Sequence, residues 1–354
     1  MAQSLPKTYQ AIQCAEANGS WNVVTVPMRD PAPNEVLIRV HASGICGSDH
    51  FLRIGAWPGI QYPRIPGHEV IGRIAGVGAE LQNGANKDRF KIGALVGVGW
   101  NGGYCTQCDY CRKGEFWTCR NANVTGFTHD GGHAEYMFTP HTAVISLPEE
   151  VLQNSSYAEL APLCCAGVTV FHAILTSKWS PGDICLVQGL GGLGHLAVQY
   201  AAKLGLRVYA VSSGSSKRDL AMTLGAVGYV DSSKEDVVEV MQSLGGAKLI
   251  VCTAPYSKSI SAILPAVAKN GMITLVSAAA DGPIEVSNLL LNMSRVTLRG
   301  YACGCAPESE QCIEYSARSS VKAMVKEFSL DQFTEAYDGV MDNSARFRNV
   351  IVFP

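Results

Sequence analysis

The chain has 354 residues, 47% hydrophobic and 16% charged, which predicts a globular protein with room for two domains and excludes a disordered one. The net charge of −2, without a basic run, argues against nucleic acid or an anionic membrane as the main partner. We find neither the roughly 20 uninterrupted apolar residues of a membrane span nor a signal peptide at residues 1–7, so we expect a cytoplasmic protein. In that reducing compartment, the 13 cysteines favour metal ligands over disulfides.

The first part of the chain, to about residue 160, is typical of a β-rich fold. Short apolar runs at residues 36–40 and 70–74 predict strands, and Gly- and Pro-rich turns separate them. Helical patterns are scarce in this part. We therefore expect a β-rich barrel or sandwich here.

Two residues of this part and one following pair form a scattered set of possible ligands. They are Cys46, His68 and the pair Cys164–Cys165. Singly, each cysteine is compatible with a buried apolar role, and a lone histidine is more often a core residue than a ligand. One histidine with two thiolates would instead hold zinc and leave a fourth position open, as in catalytic sites. Spacing alone cannot assemble residues so far apart.

A second set of cysteines is local. Four of them lie within a stretch of 15 residues: Cys105, Cys108, Cys111 and Cys119. Two residues lie between successive cysteines among the first three and seven precede the fourth, which lets a loop wrap a tetrahedral ion. A closed set of four sulfurs suits structural zinc. The alternatives are free buried cysteines and an iron–sulfur cluster, for which no second cluster motif is present.

From about residue 165 the pattern changes to alternating strands and helices. The helix between the second and third strands is predicted at residues 217–224. The predicted strands cover residues 184–187, 207–211, 227–230, 249–252, 272–276 and 296–299. This alternation predicts a doubly wound parallel sheet in an α/β domain. Residues 347–353 are strand-like again, and we expect them to return to the first domain.

A glycine-rich loop joins the first of these strands to a helix at residues 196–204. Its residues are Gly189, Gly191, Gly192, Leu193 and Gly194. In a dinucleotide-binding loop, the first glycine allows a tight turn, the second admits the pyrophosphate, and the third lets helix and strand pack closely. Strand, loop and helix in this order predict a nucleotide site at the helix N-terminus, although similar turns without ligands exist.

Together these motifs resemble zinc-dependent medium-chain alcohol dehydrogenases of the cinnamyl alcohol dehydrogenase-like type, over nearly the whole chain. The stretches that carry the resemblance are residues 44–49, 67–69, 105–119, 161–167 and 189–194. The resemblance implies a GroES-like catalytic domain at 1–160, to which 302–354 return, and a Rossmann domain at 161–301. It also implies a homodimer or homotetramer with two zinc ions per chain, one catalytic and one structural.

The resemblance implies that Cys46, His68 and Cys165 bind the catalytic zinc, with Cys164 a packed neighbour. Three further residues near this zinc are assigned roles in the same way: Ser48 as the proton-transferring hydroxyl, Asp49 as the residue that orients a ligating histidine, and Glu69 as an occasional ligand. For the two carboxylates, an ordinary salt bridge is the alternative.

Two positions depart from the family pattern. Many relatives have histidine where this chain has Gly47 and Phe51. The proton relay beyond Ser48 therefore stays open between the cofactor ribose and His50.

The cofactor preference follows from the end of the second Rossmann strand. NAD enzymes usually place Asp or Glu there to bind the adenosine ribose. This chain instead has small hydroxyls and cations: Ser212, Ser213, Ser216, Lys217 and Arg218. These groups suit a 2′-phosphate and predict NADP, although serine is also common at a solvated helix start. By resemblance, Arg348 reaches the pyrophosphate.

Three aromatic residues fall where relatives line the substrate pocket, namely Phe51, Trp57 and Trp100, with core packing as the alternative. An aromatic, largely apolar pocket suits an aryl or allylic aldehyde. We therefore expect an NADPH-dependent aldehyde reductase. The rivals are an NAD-linked dehydrogenase of simple alcohols, a reductase of activated C=C bonds on the same fold, and a zinc-ribbon module for nucleic acid, which the acidic net charge disfavours.

Overall fold

A computed structural model of the chain describes residues 5–83 and 86–354. These residues form two compact units. The first unit comprises the described residues up to Val168 together with Gly304–Pro354, and the second comprises Thr169–Cys303.

The strands, in chain order, are β1 Thr8–Cys14, β2 Trp21–Pro27, β3 Glu35–Gly44, β4 Val70–Val77, β5 Leu95–Val98, β6 Tyr136–Pro140, β7 Val144–Ser146, β8 Ile184–Gln188, β9 Arg207–Ser212, β10 Gly228–Asp231, β11 Ala247–Cys252, β12 Val267–Leu275, β13 Thr297–Gly300, β14 Val325–Phe328 and β15 Arg348–Val352. The helices are α1 Asp49–Arg53, α2 Asn86–Arg89, α3 Tyr157–Leu160, α4 Ala166–Leu175, α5 Gly194–Lys203, α6 Arg218–Thr223, α7 Val237–Ser243, α8 Ser257–Ile263, α9 Asn288–Ser294, α10 Ala306–Ser319 and α11 Phe333–Met341.

The first unit is built on a mixed sheet with the strand order β14-β15-β3-β4-β5-β7, and β6 also pairs with β3. The central strand β3 is antiparallel to β4, β6 and β15, so the last strand of the chain pairs with one near its start. Neighbouring residues of β3, Val36, Leu37 and Ile38, are all fully buried, which shows that both faces of this strand are covered. The buried rings of Phe333 and Tyr337 on α11 complete this core.

The second unit is a parallel sheet with the order β10-β9-β8-β11-β12-β13. Every residue of β8 is buried, as expected for a parallel strand with helices on both faces. The strand order reverses between β8 and β11. In open α/β sheets, ligands bind at the carboxyl ends of the strands at such a point.

The predicted fold class, a β-rich GroES-like domain with a Rossmann sheet, is confirmed. The largest difference within the second unit is the start of β12, which begins at Val267, five residues before the predicted start. Asn270, with a φ of 54°, interrupts the regular backbone there, and the pairing with β11 shifts register between Ala247 and Leu249. Because of this irregularity, the first half of β12 shows neither alternating nor continuous apolar residues, so the sequence pattern did not predict it.

Within residues 5–83 and 86–354, no single helix is long and apolar enough to cross a bilayer. One pair of helical segments, Tyr157–Cys164 and Ala166–Leu175, is long and apolar enough only when taken together, and it is bent by 56°.

Candidate functional site

The glycine loop follows β8 at the point where the strand order reverses. Gly189 has a φ of 91°, a conformation that side chains rarely adopt. A Cβ atom on Gly194 would overlap the carbonyl oxygen of Gly189, whereas one on Gly191 would meet no described atom within 4 Å. The loop thus packs tightly at its ends and is open in its middle, beside Gly192 and Leu193. This cradle fits the pyrophosphate of a dinucleotide at the start of α5.

Thr253, which follows β11, holds the loop from the neighbouring strand. Its hydroxyl lies 2.9 Å from the carbonyl oxygen of Gln188 and 3.1 Å from that of Gly189. Sequence reasoning missed this residue because its position across the sheet, and not a local motif, gives it this contact.

The predicted 2′-phosphate subsite lies where β9 ends, at Ser212. The ammonium of Lys217 donates a hydrogen bond to the carbonyl oxygen of Leu190 at 2.9 Å, so it lies beside the glycine loop. Arg218 lies 3.8 Å from Glu235. The nearest carboxylate on the adjacent strand, that of Asp231, accepts hydrogen bonds from Gly214 N at 2.8 Å and from the Ser233 hydroxyl at 2.6 Å.

The four cysteines of the local set face one another. Their sulfur atoms lie within 4.8 Å of each other. Backbone N–H groups point at these sulfurs: Cys105 N lies 3.3 Å from the sulfur of Cys119, and Cys108 N lies 3.4 Å from that of Cys105. Such N–H groups stabilise thiolates, and the donor set fits a tetrahedral zinc ion.

The pKa values within this set agree with thiolate character. N–H groups of Gln107 and Cys108 lower the pKa of the Cys105 thiol to about 6, and N–H groups of Cys111 and Arg120 lower that of Cys108. Burial raises the pKa of Cys111 to about 12, so Cys111 holds its proton more tightly than Cys105 and Cys108 hold theirs. A metal ion would displace the remaining protons.

The scattered ligand candidates converge in the first unit. Ligand atoms of Cys46, His68, Glu69 and Cys165 lie within 4.8 Å of one another. Cys46 follows β3, His68 and Glu69 precede β4, and Cys165 ends the turn before α4. The pairing of β3 with β4 therefore brings the first three together.

Cys164 points elsewhere. Its thiol is fully buried and lies 3.6 Å from the carbonyl oxygen of Val70. Among the described residues, the cluster of ligand atoms around Cys46 and His68 includes the sulfur of Cys165 and not that of Cys164.

Asp49 and Ser48 both contact the candidate ligands Cys46 and His68. One carboxylate oxygen of Asp49 accepts a hydrogen bond from Cys46 N at 2.9 Å, and the other lies 3.4 Å from Nδ1 of His68. The carboxylate directs the proton of His68 to Nδ1 and leaves the Nε2 lone pair for a metal. The Ser48 hydroxyl lies 3.2 Å from the sulfur of Cys46 and 3.3 Å from Nε2 of His68.

The electrostatic environment favours the metal-binding forms of these groups. The neighbouring Cys165 thiol lowers the pKa of Cys46, which burial alone would raise, and Arg348 and His68 lower it further. Burial alone would raise the pKa of the Asp49 carboxyl as well. The neighbouring His68 outweighs burial and, with His133, holds this pKa well below its usual range. The two soft donors, the imidazole and the ionised carboxylate behind it fit zinc with an open position.

Glu69 and Arg348 form a buried ion pair. Burial raises the pKa of the Glu69 carboxyl and Arg348 opposes that rise. Gly44 makes room for the pair, since a Cβ there would overlap Oε2 of Glu69. The contact of Arg348 with a cofactor pyrophosphate stays a prediction.

An aromatic cluster lies directly against His68. The ring of Trp100 is edge-on to the imidazole at 4.8 Å, and Trp57 lies 5.3 Å from Trp100. Phe51 packs in the same cluster. Phe127, which sequence reasoning missed, fills the centre at 4.9 Å from Trp100 and 5.5 Å from Trp57. It lies in a turn without a recognisable motif.

The structure shows the surroundings of Gly47, one of the two departures from the family pattern, and of His50, the neighbour of the other. A Cβ on Gly47 would meet no described atom within 4 Å. The Nδ1 atom of His50 lies 2.7 Å from the hydroxyl of the buried Tyr337, and the two rings are stacked. His50 is thus held by α11, and its use as a proton relay stays a prediction.

Comparisons with known proteins agree with this geometry. Residues 32–149 match the family described as "Alcohol dehydrogenase GroES-like domain", and residues 192–318 match "Zinc-binding dehydrogenase". An alcohol dehydrogenase of Penicillium expansum, patD, is 39% identical over 351 residues, which cover 99% of this chain and 99% of that protein.

Two solved structures extend the comparison. A cinnamyl alcohol dehydrogenase from Sorghum bicolor is 27% identical with a TM-score of 0.85, and the match covers 98% of each chain. The corresponding enzyme from Helicobacter pylori, described as complexed with NADP(H), is 25% identical with a TM-score of 0.84 over 98% of each chain. The chain therefore belongs to the zinc-dependent medium-chain alcohol dehydrogenase family and is an oxidoreductase of alcohols or aldehydes.

Proposed function

We propose that this protein is a zinc-dependent alcohol dehydrogenase that works mainly as an NADPH-dependent aldehyde reductase and produces primary alcohols. The observation that carries the proposal is the convergence of Cys46, His68 and Cys165 around a position that the Ser48 hydroxyl borders. Three protein ligands and one hydroxyl at the open side match the needs of carbonyl reduction.

Cys46, His68 and Cys165 would hold the catalytic zinc, and Glu69 would be an occasional fourth ligand. When bound, zinc would polarise the substrate oxygen and the nicotinamide would supply the hydride. Ser48 would donate the proton to the developing alkoxide, because its hydroxyl already borders the ligand atoms. Asp49 would keep His68 in the ligating tautomer.

The aromatic cluster supports a substrate with a flat apolar body. Trp57, Trp100 and Phe127 stand edge-on or tilted to one another within 5.5 Å, and Phe51 borders them. Such rings bind aryl and allylic groups through apolar and edge-to-face contacts. A small polar polyol would leave them with no matching surface.

Three observations support NADP over NAD. Ser212, at the end of β9, is followed by Ser213, so no carboxylate stands at the position that would bind the adenosine ribose. Lys217 lies beside the glycine loop, where it could reach a 2′-phosphate. The Helicobacter pylori relative is complexed with NADP(H).

The same proposal includes a second, structural zinc held by Cys105, Cys108, Cys111 and Cys119. Thiolate ligands at both zinc sites need a reducing compartment, in agreement with the proposed cytoplasmic location. We also propose a homodimer or homotetramer. Its support is the edge strand β13 and the exposed side chains of Leu289 and Met293, 70% and 71% accessible, on the preceding helix α9.

Initial rates with cinnamaldehyde and benzaldehyde test the proposal, measured with NADPH and with NADH before and after treatment with a chelator. We expect faster turnover with NADPH that the chelator removes. Preference for NADH would overturn the cofactor assignment and favour the NAD-linked alternative. Turnover that survives complete zinc removal would overturn the zinc chemistry. Reduction of an activated C=C bond in place of the aldehyde would identify the C=C reductase.

A further inference from the structure

A second buried histidine, His133, stands behind the candidate zinc site. Both His133 and Asp49 are completely inaccessible to solvent. Nδ1 of His133 lies 2.8 Å from the hydroxyl of Ser43, and its Nε2 lies 3.6 Å from one oxygen of Asp49. The other oxygen of Asp49 faces Nδ1 of His68 at 3.4 Å. Four side chains thus form one line from Ser43 to the ligating nitrogen of His68.

The proton positions along this line are determined by chemistry. One oxygen of Asp49 already accepts a hydrogen bond from Cys46 N, and a carboxylate only accepts, so the imidazole nitrogens of His68 and His133 that face it are the N–H donors. In the described part of the chain, Nδ1 of His68 and Nε2 of His133 have no hydrogen-bond partner, and both face this carboxylate. If Nε2 of His133 carries the proton, Nδ1 is an acceptor, and Ser43 donates to it.

The backbone fixes the ring of His133 with little freedom. Its N–H bonds the carbonyl of Pro66 at 3.0 Å, and its carbonyl accepts from Ile12 N at 2.8 Å. Gly67 has a φ of 103°, and a Cβ there would come within 2.8 Å of Cγ of His133. The ring of Phe333 lies edge-on at 4.9 Å. His133 therefore packs against the residue immediately before His68 as well as facing Asp49.

We propose that His133 is a positioning residue of the catalytic zinc site, which acts through Asp49 to fix the orientation and tautomer of His68. This inference rests on the proposed function, because it requires zinc at Cys46, His68 and Cys165. Partners behind a ligating histidine change metal affinity even though they do not touch the metal.

Three substitutions separate this role from simple core packing. His133→Phe keeps a planar ring and removes both nitrogens. His133→Gln keeps an N–H donor near the position of Nε2. Ser43→Ala keeps the ring but removes the hydroxyl that fixes its tautomer. His129→Phe is the matched control, since His129 is another histidine of the same loop region and its Nδ1 lies 3.4 Å from the hydroxyl of Thr128 and not beside Asp49.

The readouts are the rate of zinc release to a chromogenic chelator and the visible spectrum of the cobalt(II)-substituted protein. We expect His133→Phe to release the catalytic zinc about 10- to 100-fold faster and to alter the cobalt bands, with slower release restored in His133→Gln. The catalytic zinc is identified as the ion that Cys165→Ser loses. We expect Ser43→Ala to speed zinc release in the same direction but by a smaller factor. This variant tests the inference if His133→Phe does not fold.

The outcomes are distinct. Unchanged release and spectra in a folded His133→Phe or Ser43→Ala protein would overturn this inference alone, as would an equal change in His129→Phe or no recovery in His133→Gln. If Cys165→Ser holds as much zinc as the wild type, the proposed zinc chemistry is wrong, and this inference fails with it.

Discussion

The side chains of Glu69 and Arg348 meet in a buried ion pair, although 279 residues separate them in the chain. Glu69 follows the ligating His68, and Arg348 begins β15, which pairs with β3. The pair therefore connects the last strand of the chain to the candidate zinc site. Both side chains are at least 92% inaccessible, so neither charge has water to replace its partner.

Removing the guanidinium of Arg348 should destabilise the folded protein. We expect Arg348→Met to lower the free energy of unfolding by about 3–5 kcal/mol, because it leaves a buried carboxylate unpaired. Urea denaturation measures this change. The matched control is Arg318→Met, which breaks an exposed pair with Glu314 and should cost about 0.5 kcal/mol or less. Equal losses in the two variants would contradict the importance of the buried pair.

The glycine loop allows cofactor binding to be separated from folding. Gly191→Ala adds a Cβ where no described atom lies within 4 Å, so stability should change little, while the pyrophosphate loses its close approach. We expect NADPH binding, followed by its fluorescence, to weaken at least about tenfold, equivalent to about 1.4 kcal/mol.

Gly194→Ala is the comparison for this loop. Its Cβ would overlap the carbonyl oxygen of Gly189, so this variant should lose thermal stability. If Gly191→Ala bound NADPH normally, the loop would not be the pyrophosphate site.

Local features of the sequence predicted much of this molecule. The strand, glycine loop and helix at Gly189–Gly194 are consecutive, and so are the cysteines from Cys105 to Cys119, so spacing was enough to find both. The doubly wound sheet followed from the alternation of strands and helices.

Long-range contacts were not predictable in this way. Asp49 meets His133 only because the loop before β6 folds back over Gly67, and Glu69 meets Arg348 only because β15 pairs with β3. Neither contact leaves a spacing pattern. The convergence of Cys46, His68 and Cys165 was expected from family resemblance, since residues this far apart carry no local signal.

Neighbouring cysteines provide a matched test of the catalytic zinc. Cys165→Ser should lose one zinc ion and at least about a hundredfold in turnover, because several kcal/mol of carbonyl polarisation disappear, while NADPH still binds. Cys164→Ser changes the adjacent, inward-facing thiol and should keep both zinc ions. Zinc analysis and aldehyde reduction measure the two effects. Full activity in Cys165→Ser would contradict the assignment.

Cofactor preference can be tested at the end of β9. Ser213→Asp places a carboxylate where a ribose would be bound and where it would repel a 2′-phosphate. We expect kcat/KM with NADPH to fall at least about tenfold, equivalent to about 1.4 kcal/mol, and the preference to move toward NADH. Ser243→Asp, at the exposed end of α7, controls for added charge. An unchanged ratio in Ser213→Asp would mean that the 2′-phosphate binds elsewhere.

The stability of the first unit should depend on pH through His129. Burial, with Arg64 contributing, lowers the pKa of His129 to about 4, so the folded protein keeps this imidazole neutral. An unfolded histidine takes up its proton near pH 6.5, so stability is complete above that pH and falls as the pH drops toward 4. The loss attributable to this residue is at most about 3 kcal/mol. We expect the free energy of unfolding of His129→Phe to fall less steeply between pH 6.5 and 4 than that of the wild type. Because the other titrating groups are shared, subtracting the two curves isolates His129, and parallel curves would show that folding does not lower the pKa of its imidazole.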